Sequence, residues 1–544
     1  MSRTMNGRPI AALVTAAQMR DLEAAAAAAG MSEHELMANA GLAVAQEAWM
    51  MAGGQDERPI LVLIGPGNNG SDGLVAAARL VEWGAMVHAY LLRERPADDI
   101  EWRMCVDAGV TYTIATEDAR FAVLEELLSD AVMAVDAIFG TGLQPKERPI
   151  DGIAVQVLSR LQAARVAMPP LPLLAVDVPS GVDSDTGFAD PLTVDVDETV
   201  TFECVKIGLM TAPAVLLAGR VVPVEIGIPA EAGARLALGR LVLREARAVL
   251  PERPADGHKG TFGNVVVAAG SRRFPGAARL AAEAAARSGC GLVTIAAPAS
   301  IQPLLIAFPD ATHEPLPDQH GTHTPEGARV LLQALQAGRA QALLVGPGLG
   351  LSDGTRGFVQ HLLAGLDTVE GIQTVVFDAD ALTVLSEETG WHTRFAAERV
   401  LTPHPGEMAR LVGRSVEEVQ TTRLATALEV AQATGSVVVL KGAGTVIAAP
   451  DGRARISDIA TSALAHAGTG DVLAGLIAGF TAQGMPGFEA ACAAVWVQGE
   501  AARQVSSIYG DASMLASDLV RALPEARKAL EPPRASDRDD RPAM

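Results

Sequence analysis

The chain has 544 residues, of which 49% are apolar and 20% charged, a composition typical of a globular protein with about two to four domains. Its formal net charge of −21 argues against a primary role in binding nucleic acid, although backbone amides can still bind small anions. The four cysteines lack C-x-x-C spacing, and no apolar run approaches the about 20 residues of a membrane span. We therefore expect a cytoplasmic protein without disulfides, structural zinc or a membrane partner.

Strands alternate with helices over residues 10–228. The strands are near-continuous runs of Val, Ile, Leu and Ala, which is typical of a parallel sheet covered on both faces. This pattern predicts a doubly wound α/β domain. The predicted strands are 60–65, 86–92, 131–140, 173–181 and 198–202, and the predicted helices include 72–83 and 151–165.

A second α/β series follows a change of composition around residues 229–260, where Ala, Arg and Pro dominate. The predicted linker is 229–242, and the second domain is expected at 243–525. A short tail at 1–9 and a charged, Pro-containing tail at 526–544, expected to be disordered, complete the division. The predicted strands of the second domain are 264–270, 291–298, 342–348, 374–381, 437–444 and 445–450.

The first glycine-rich loop, "GPGNNGSDG" at 65–73, follows the first strand and contains G-x-G-x-x-G. A dinucleotide fingerprint also needs an acidic residue about 20 positions later, and Glu94 is a weak match for it. Asn68 and Asn69 offer oxygens to a hard cation, while free loop amides could cradle phosphate. Asp72 stands where a helix N-cap is expected, which is the structural alternative to a functional role.

Two further strand ends carry polar side chains that should lie on the same edge of the sheet. Asp136 ends one strand and precedes a second glycine nest at 140–142. Asp177 and Ser180 follow the next strand. Turn formation alone could explain each of these elements, but three on one edge favour a ligand site.

Together, the ordered motifs "LMANAG", "GPGNNGSDGL", "VDAIFGTGL", "AVDVPSGVDSDTG" and "TVTF…K.GL" resemble the NAD(P)H-hydrate epimerase family over about residues 10–228. The resemblance implies a Rossmann-like fold and a substrate, NADHX or NADPHX, which is NADH or NADPH hydrated at C6 of the nicotinamide ring. It implies interconversion of the R and S hydrates, with a potassium ion held by Asn69, Asp136 and Ser180. The implied substrate contacts are Asn68, Asn69, Gly70, Ser71, Asp72, Gly140, Thr141, Gly142, Leu143, Gln144, Pro145, Lys146 and Asp177.

Asp177 is the candidate proton shuttle of this first site, because a carboxylate suits the opening and reclosing of the hydrated carbon. Its alternative role is to orient the loop 178–183 by accepting backbone hydrogen bonds. Ser71 departs from the family pattern, which usually has a second glycine at this position. A Cβ restricts the backbone there, although the Ser71 hydroxyl could itself contact phosphate.

The second half carries "GTGD" at 468–471, at the start of a predicted helix. Gly468 and Gly470 leave amides free to form, with the helix dipole, an anion hole for a transferring phosphoryl group. Asp471 lies in the first turn, placed to take a proton from an attacking hydroxyl. Taken alone, the motif would be better explained as a glycine turn in which Asp471 caps the helix start.

Further motifs accompany it: "LTPHPGE", "VVLKGAGT", "VGPGLG", "FDADAL" and "GSRRFPGAA". This ordered set resembles the NAD(P)H-hydrate dehydratase family, with a ribokinase-like fold, over about residues 243–525. The resemblance implies an ADP-dependent dehydration of the S hydrate, helped by magnesium near Glu407. The implied nucleotide contacts are Lys441, Gly442, Ala443, Gly444, Thr445 and Gly470, and the implied substrate contacts are Ala277, Gly348, His404 and Asp471.

Hydroxide is a poor leaving group, whereas phosphate is a good one, so the resemblance implies that the ring hydroxyl is first phosphorylated. Asp471 would act as the base that helps this hydroxyl to attack the phosphoryl group. Ala467 stands where the family commonly has a glycine, at a cost of order 1 kcal/mol if the backbone there requires positive φ. Two alternatives stay open: a vitamin- or sugar-type kinase fused to a binding domain, and a non-catalytic nucleotide sensor. The small-molecule substrates and ADP are the expected partners, in a homo-oligomer.

Overall fold

The computed structural model describes residues 12–54, 57–229, 232, 236, 238–241 and 243–531. The chain divides into two compact units, Met1–Arg240 and Leu241–Met544. The predicted tail at 1–9 and residues 532–544 of the predicted C-terminal tail lie outside the described residues. Within the described part, no helix is long and apolar enough to cross a membrane.

The first unit alternates strands and helices as predicted, with additional short strands. Its strands are β1 (Leu13–Val14), β2 (Ile60–Ile64), β3 (Val87–Leu91), β4 (Thr111–Ile114), β5 (Met133–Ala137), β6 (Leu173–Val176), β7 (Glu198–Phe202), β8 (Val205–Lys206), β9 (Arg220–Val224) and β10 (Leu238–Arg240). Its helices are α1 (Ala16–Ala28), α2 (Glu33–Met51), α3 (Asn68–Glu82), α4 (Ile100–Asp107), α5 (Ala122–Asp130) and α6 (Ile153–Val166).

The main sheet of this unit has the strand order β4-β3-β2-β5-β6-β7-β9, and every neighbouring pair is parallel. The chain starts in the middle at β2, moves to one edge, and returns through β5 to the other. The loops after β2 and β5 therefore separate at a topological switch point, where open α/β sheets bind ligands. The predicted doubly wound fold is confirmed.

The glycine-rich segment differs from its prediction, because α3 begins at Asn68 rather than at residue 72. Gly67 is the extended N-cap residue and supplies no side-chain hydrogen bond. The prediction that Asp72 caps this helix is therefore wrong, and the amides of the first turn stay free of a side-chain cap. A Cβ on Gly65 would overlap the Ile138 carbonyl oxygen, so this glycine lets the helix start approach the end of β5.

The second unit is also an α/β structure. Its strands are β11 (Asn264–Ala268), β12 (Leu292–Pro298), β13 (Thr312–Leu316), β14 (Asp318–Gln319), β15 (Thr322–His323), β16 (Ala342–Val345), β17 (Thr374–Phe377), β18 (Glu398–Leu401), β19 (Val437–Leu440), β20 (Val446–Ala448) and β21 (Ala454–Ile456). Its helices are α7 (Leu243–Ala248), α8 (Pro275–Ser288), α9 (Gln302–Leu305), α10 (Pro325–Ala337), α11 (Asp353–Gly365), α12 (Asp380–Glu387), α13 (Pro405–Val412), α14 (Val416–Thr421), α15 (Arg423–Thr434), α16 (Thr469–Ala482), α17 (Gly487–Tyr509) and α18 (Ala516–Lys528).

The sheet of this unit contains the order β21-β20-β19-β18-β17-β16-β11-β12-β13. The strands from β13 to β19 are parallel, and β20 and β21 add an antiparallel end. Its switch point lies between β11 and β16. Packed structure extends past the predicted start of the C-terminal tail at 526, because α18 continues to Lys528 and Leu530 is fully buried.

Two candidate active sites

The first candidate site begins with a buried hydrogen-bonded cluster at the ends of β5 and β6. The Ser180 hydroxyl donates to Asp136 Oδ1 at 2.6 Å, and the Ser180 backbone N–H donates to Asp136 Oδ2 at 2.9 Å. The Phe139 N–H donates to Ser180 Oγ at 2.9 Å and closes the cluster. Burial raises the pKa of Asp136, while the hydrogen bonds from Ser180 oppose that rise.

Asn69, in the first turn of α3, approaches the loop after β5 next to this cluster. Its side chain is 8% exposed and packs against Gly140, where an added Cβ would lie 3.1 Å from Asn69 Oδ1. The Asn69 Nδ2 atom is buried and has no hydrogen-bond partner within the described residues. The amide orientation of an asparagine is an assignment, and the opposite orientation would present an oxygen at this orphaned position. The donor set of amide, carboxylate and hydroxyl oxygens therefore fits a hard cation.

Asp177 follows β6 and is held in the left-handed region at φ 64°, which is uncommon for a residue with a side chain. Its Oδ1 accepts hydrogen bonds from Lys206 Nζ at 2.5 Å, from Thr201 Oγ1 at 3.1 Å and from the Phe202 N–H at 3.2 Å. Lys206 is fully buried and was not predicted as a site residue. It is the lysine of the motif "TVTF…K.GL", to which the sequence alone assigned no role.

The segment 140–146, which begins with the second glycine nest, lies after β5 as predicted and is rich in turns. Pro145 is buried, whereas Gly142, Gln144 and Lys146 are exposed at the same edge of the sheet. The Lys146 ammonium lies 5.1 Å from the centre of the Phe188 ring. These exposed positions of the segment are therefore accessible to a bound molecule.

Ser71, the departure from the glycine pattern, lies inside α3 and has an ordinary helical backbone, so glycine is not required there. Its hydroxyl accepts a hydrogen bond from Arg95 Nη2 at 2.5 Å. The same arginine pairs with Asp99 and donates to the Gly65 carbonyl oxygen at 3.4 Å. The serine thus connects the glycine-rich segment to the loop after β3.

The second candidate site centres on Lys441 at the end of β19. Lys441 Nζ lies 2.8 Å from Asp378 Oδ1 and 3.8 Å from Glu407 Oε2. Thr402 also donates to Asp378 Oδ1, at 2.7 Å. Burial alone would lower the pKa of Lys441, but the carboxylates of Asp378 and Glu407 outweigh it and raise that pKa. The ammonium is therefore a fixed positive charge at this edge of the sheet.

Asp471 lies in the first turn of α16, as predicted, and Gly468 is an N-cap residue without a side-chain hydrogen bond. Burial, followed by the negative charge of Asp378, raises the pKa of Asp471 to about 7, while Lys441 opposes the rise. A carboxylate with a pKa near neutrality exchanges protons readily at physiological pH. A Cβ on Gly470 would lie 3.3 Å from Lys441 Nζ, so the helix start and the lysine are adjacent.

A cavity of about 200 Å³ opens beside this helix start. Five of the six residues predicted to contact nucleotide line it, and Gly444 belongs to the same loop. Additional walls come from α17 and from the segment 457–469, which sequence reasoning did not include. The predicted residues that line the cavity are Lys441, Gly442, Ala443, Thr445 and Gly470.

Arg423, at the start of α15, is a further residue that sequence reasoning missed. Its Nη2 donates to the carbonyl oxygens of Leu440, Lys441 and Gly444, at 2.9, 3.2 and 3.3 Å. Burial lowers the pKa of Arg423 to about 10. The guanidinium therefore fixes the backbone of the 441–445 loop from behind, and no motif in the sequence indicated this role.

His404 and Glu407 form a capping box at the start of α13. The His404 Nδ1 atom accepts from the N–H groups of Gly406 and Glu407, and Glu407 Oε2 accepts from the His404 N–H at 2.8 Å. Burial lowers the pKa of His404 and raises the pKa of Glu407. His404 Nδ1 is thus used structurally, while Nε2 of the half-exposed ring lies 3.3 Å from Glu407 Oε1.

The predicted hydrate contacts Gly348 and Ala277 meet at the switch point between β11 and β16. Gly348 has φ 63°, and an added Cβ would lie 2.8 Å from the Ala277 Cβ. Ser271 donates to the Gly348 carbonyl oxygen at 2.8 Å. Ala467, in contrast, is not among the residues with positive φ, so alanine carries no left-handed strain at this departure from the family pattern.

Family models match both units. One described as "YjeF-related protein N-terminus" covers residues 33–208, and one described as "NAD(P)H-hydrate dehydratase" covers residues 265–525. A solved structure described as an ADP/ATP-dependent NAD(P)H-hydrate dehydratase from Bacillus subtilis, co-crystallized with ATP/Mg2+, is 34% identical. It covers 54% of this chain and 98% of its own, with a TM-score of 0.47.

Curated relatives span both units. The bifunctional NAD(P)H-hydrate repair enzyme Nnr of Moorella thermoacetica is 36% identical, over 95% of this chain and 97% of its own. The protein of the same name from Escherichia coli (strain K12) is 32% identical, over 91% of this chain and 89% of its own. With both domains present in the same order and matched over nearly their full length, this chain belongs to the family of bifunctional NAD(P)H-hydrate repair enzymes.

Proposed function

We propose that this chain epimerises the R and S hydrates of NADH and NADPH at its first site and dehydrates the S hydrate at its second. The observation that carries the proposal is that two sheet edges of one chain each combine amides at a helix start with a carboxylate, which is buried at the first edge and half-buried at the second. Asp177 serves the first edge and Asp471 the second. Membership of the family supports the same pairing of activities.

At the first site, we propose that Asn69, Asp136 and Ser180 hold a potassium ion. The orphaned Asn69 Nδ2 position and the raised pKa of Asp136 both support this assignment, since each reports a buried polar group that lacks a compensating charge. A bound potassium ion would supply that charge and fix the relative positions of the three loops. The free amides at the start of α3, the 140–146 segment and Asp177 would then bind and orient the hydrate.

At the second site, we propose that Asp471 removes the proton from the C6 hydroxyl as its oxygen attacks the terminal phosphoryl group of ADP. The bond from that phosphorus to the bridging oxygen breaks, and AMP leaves. The lone pair of the ring nitrogen then expels phosphate from C6, and loss of a C5 proton restores the dihydronicotinamide ring. The amides at the start of α16 stabilise the charge on the phosphoryl group.

Lys441 and the loop 441–445 bind the nucleotide phosphates in this proposal, and Gly348, Ala277 and His404 position the hydrate. Magnesium would neutralise phosphate charge near Glu407, whose raised pKa reflects a buried carboxylate in need of a positive neighbour. Within the described residues no group of three or more His, Cys, Asp or Glu side chains could hold a metal. The nucleotide phosphates would therefore provide most of the ligands to magnesium.

A vitamin- or sugar-type kinase is the second candidate function, since Asp471 in a glycine-flanked helix start also suits phosphoryl transfer to a hydroxyl that keeps its phosphate. Product analysis separates the two functions. Chromatography of a reaction with S hydrate and ADP should show NADH, AMP and inorganic phosphate in equal amounts. A stable phosphorylated product would instead establish the kinase.

A further inference from the structure

The two carboxylate oxygens of Asp177 are used unequally. Oδ1 accepts all three hydrogen bonds, from the Lys206 ammonium, the Thr201 hydroxyl and the Phe202 N–H. Oδ2 accepts none from the part of the chain that the structure describes. One oxygen is therefore committed to the protein, and the other is available to a substrate at the edge of the sheet.

Lys206 has its own hydrogen-bonding capacity filled. An ammonium has three donors, and this one donates to Asp177 Oδ1, to Thr201 Oγ1 at 3.2 Å and to the Phe202 carbonyl oxygen at 3.1 Å. The side chain is fully buried, a position that a lysine tolerates only with a paired negative charge. Lys206 therefore holds Asp177 in place and has no donor left for a substrate.

Asp72 is a second buried carboxyl at this edge, on helix α3, which packs against β5 and β6. It is 8% exposed, and its side chain accepts no hydrogen bond from the described residues. Burial and then the charge of Asp177 raise the pKa of Asp72 well above its usual value, with smaller contributions from Glu23 and Glu101. Lys206 opposes the rise, but burial and the neighbouring carboxyls outweigh it and favour the protonated form of Asp72.

We propose, on the basis of the epimerase function above, that Asp72 and Asp177 form an acid–base pair and that Lys206 is the positioning residue that orients Asp177. Asp177 Oδ2 acts as the base and the Asp72 carboxyl as the acid. Both are catalytic residues in this assignment, whereas Lys206 acts only through Asp177. The sequence motifs contain both Asp72 and Lys206 but do not assign these roles to them.

The proposed reaction balances without a further reactant. Asp177 Oδ2 takes the proton of the C6 hydroxyl, the carbon–oxygen double bond forms, and the bond between C6 and the ring nitrogen breaks. The electron pair of that bond goes to the nitrogen, which takes the proton of Asp72. After rotation about the C5–C6 bond, the nitrogen returns its proton to Asp72 and attacks the other face of the aldehyde, whose oxygen recovers the proton from Asp177.

The test measures epimerisation alone, in the full-length protein without nucleotide, by chromatographic separation of the R and S hydrates. Asp72→Asn should lower the rate constant about 10²-fold or more with little change in KM, because the amide keeps the shape but cannot supply a proton. Its thermal unfolding should match the wild type. Glu101→Gln, the matched control on α4, removes a charge that also acts on Asp72 and should stay within about twofold.

Lys206→Gln tests the positioning role through separate measurement of kcat and KM for epimerisation. The shorter side chain no longer holds Asp177 Oδ1 in place, so kcat should fall roughly tenfold or more while KM changes by less than about twofold. A kcat that stays at the wild-type value would overturn the positioning role, and an Asp72→Asn variant that keeps its epimerisation rate would overturn the acid role. If the wild type itself does not interconvert the hydrates, the proposed function fails rather than this inference.

Discussion

Lys441 Nζ lies 2.8 Å from Asp378 Oδ1, and this ion pair fixes a positive charge beside the first turn of the helix that carries Asp471. The arrangement places a cation, free helix amides and a carboxyl with a pKa of about 7 together at the sheet edge. The corresponding edge of the first unit has a buried lysine and a paired carboxylate, Lys206 and Asp177. Both units thus use a lysine at a strand end to hold an aspartate.

The pH dependence of dehydration should follow Asp471. Burial and Asp378 raise its pKa to about 7, so the carboxylate that serves as base is lost as the pH falls through about 7. We expect the rate constant for S-hydrate dehydration to be nearly constant above pH 8 and to fall about tenfold per pH unit well below 7. Single-turnover measurements between pH 5 and 9 test this, and an unchanged rate down to pH 5 would contradict it.

Arg423 should control nucleotide binding without taking part in the chemistry. Arg423→Lys keeps the positive charge but loses the planar group that reaches three carbonyl oxygens of the loop. We expect the KM for ADP to rise roughly tenfold, kcat to change less, and the free energy of unfolding to fall by about 2 kcal/mol. Arg414→Lys is the matched control, because Arg414 forms a more exposed ion pair with Glu429. It should leave the KM for ADP, kcat and the free energy of unfolding unchanged. A kcat loss at constant KM would contradict this role.

Sequence reasoning identified both sheet edges because their motifs consist of Gly, Asn and Asp, whose occurrence after a strand is a local signal. Lys206 and Arg423 were missed because their roles depend on burial and on partners far along the chain, as in the contact of Arg423 with Leu440. Strand ends were placed too late, for example at 140 instead of Ala137, since an apolar run does not reveal where ladder hydrogen bonds stop. The start of α3 was placed too late because its first turn has no side-chain cap.

Alanine at position 467, in place of the family's usual glycine, should have little effect on dehydration. Its backbone is not left-handed, so restoring glycine relieves no strain. We expect Ala467→Gly to change kcat/KM for S-hydrate dehydration by less than about threefold, equivalent to about 0.6 kcal/mol. A gain of tenfold or more would show that the alanine methyl group obstructs the anion hole.

Potassium should be needed for epimerisation at the first site but not for dehydration at the second. Replacing potassium with lithium should slow epimerisation by the wild type by about tenfold or more, equivalent to about 1.4 kcal/mol. Asn69→Ala should be slow in both salts, because it removes the buried amide that completes the oxygen set. Dehydration of pure S hydrate in the same buffers is the control. Wild-type epimerisation that is indifferent to the cation would contradict the potassium assignment.

The proposed repair of one damaged cofactor depends on two sites of the same chain. Its most direct test incubates an equal mixture of R and S hydrates with ADP, and in parallel with ATP, while the absorbance of the reduced cofactor is followed. We expect full recovery of the reduced cofactor with the wild type, about half with Asp177→Asn and almost none with Asp471→Asn. Recovery of only the S half by the wild type, or full recovery by Asp471→Asn, would contradict it.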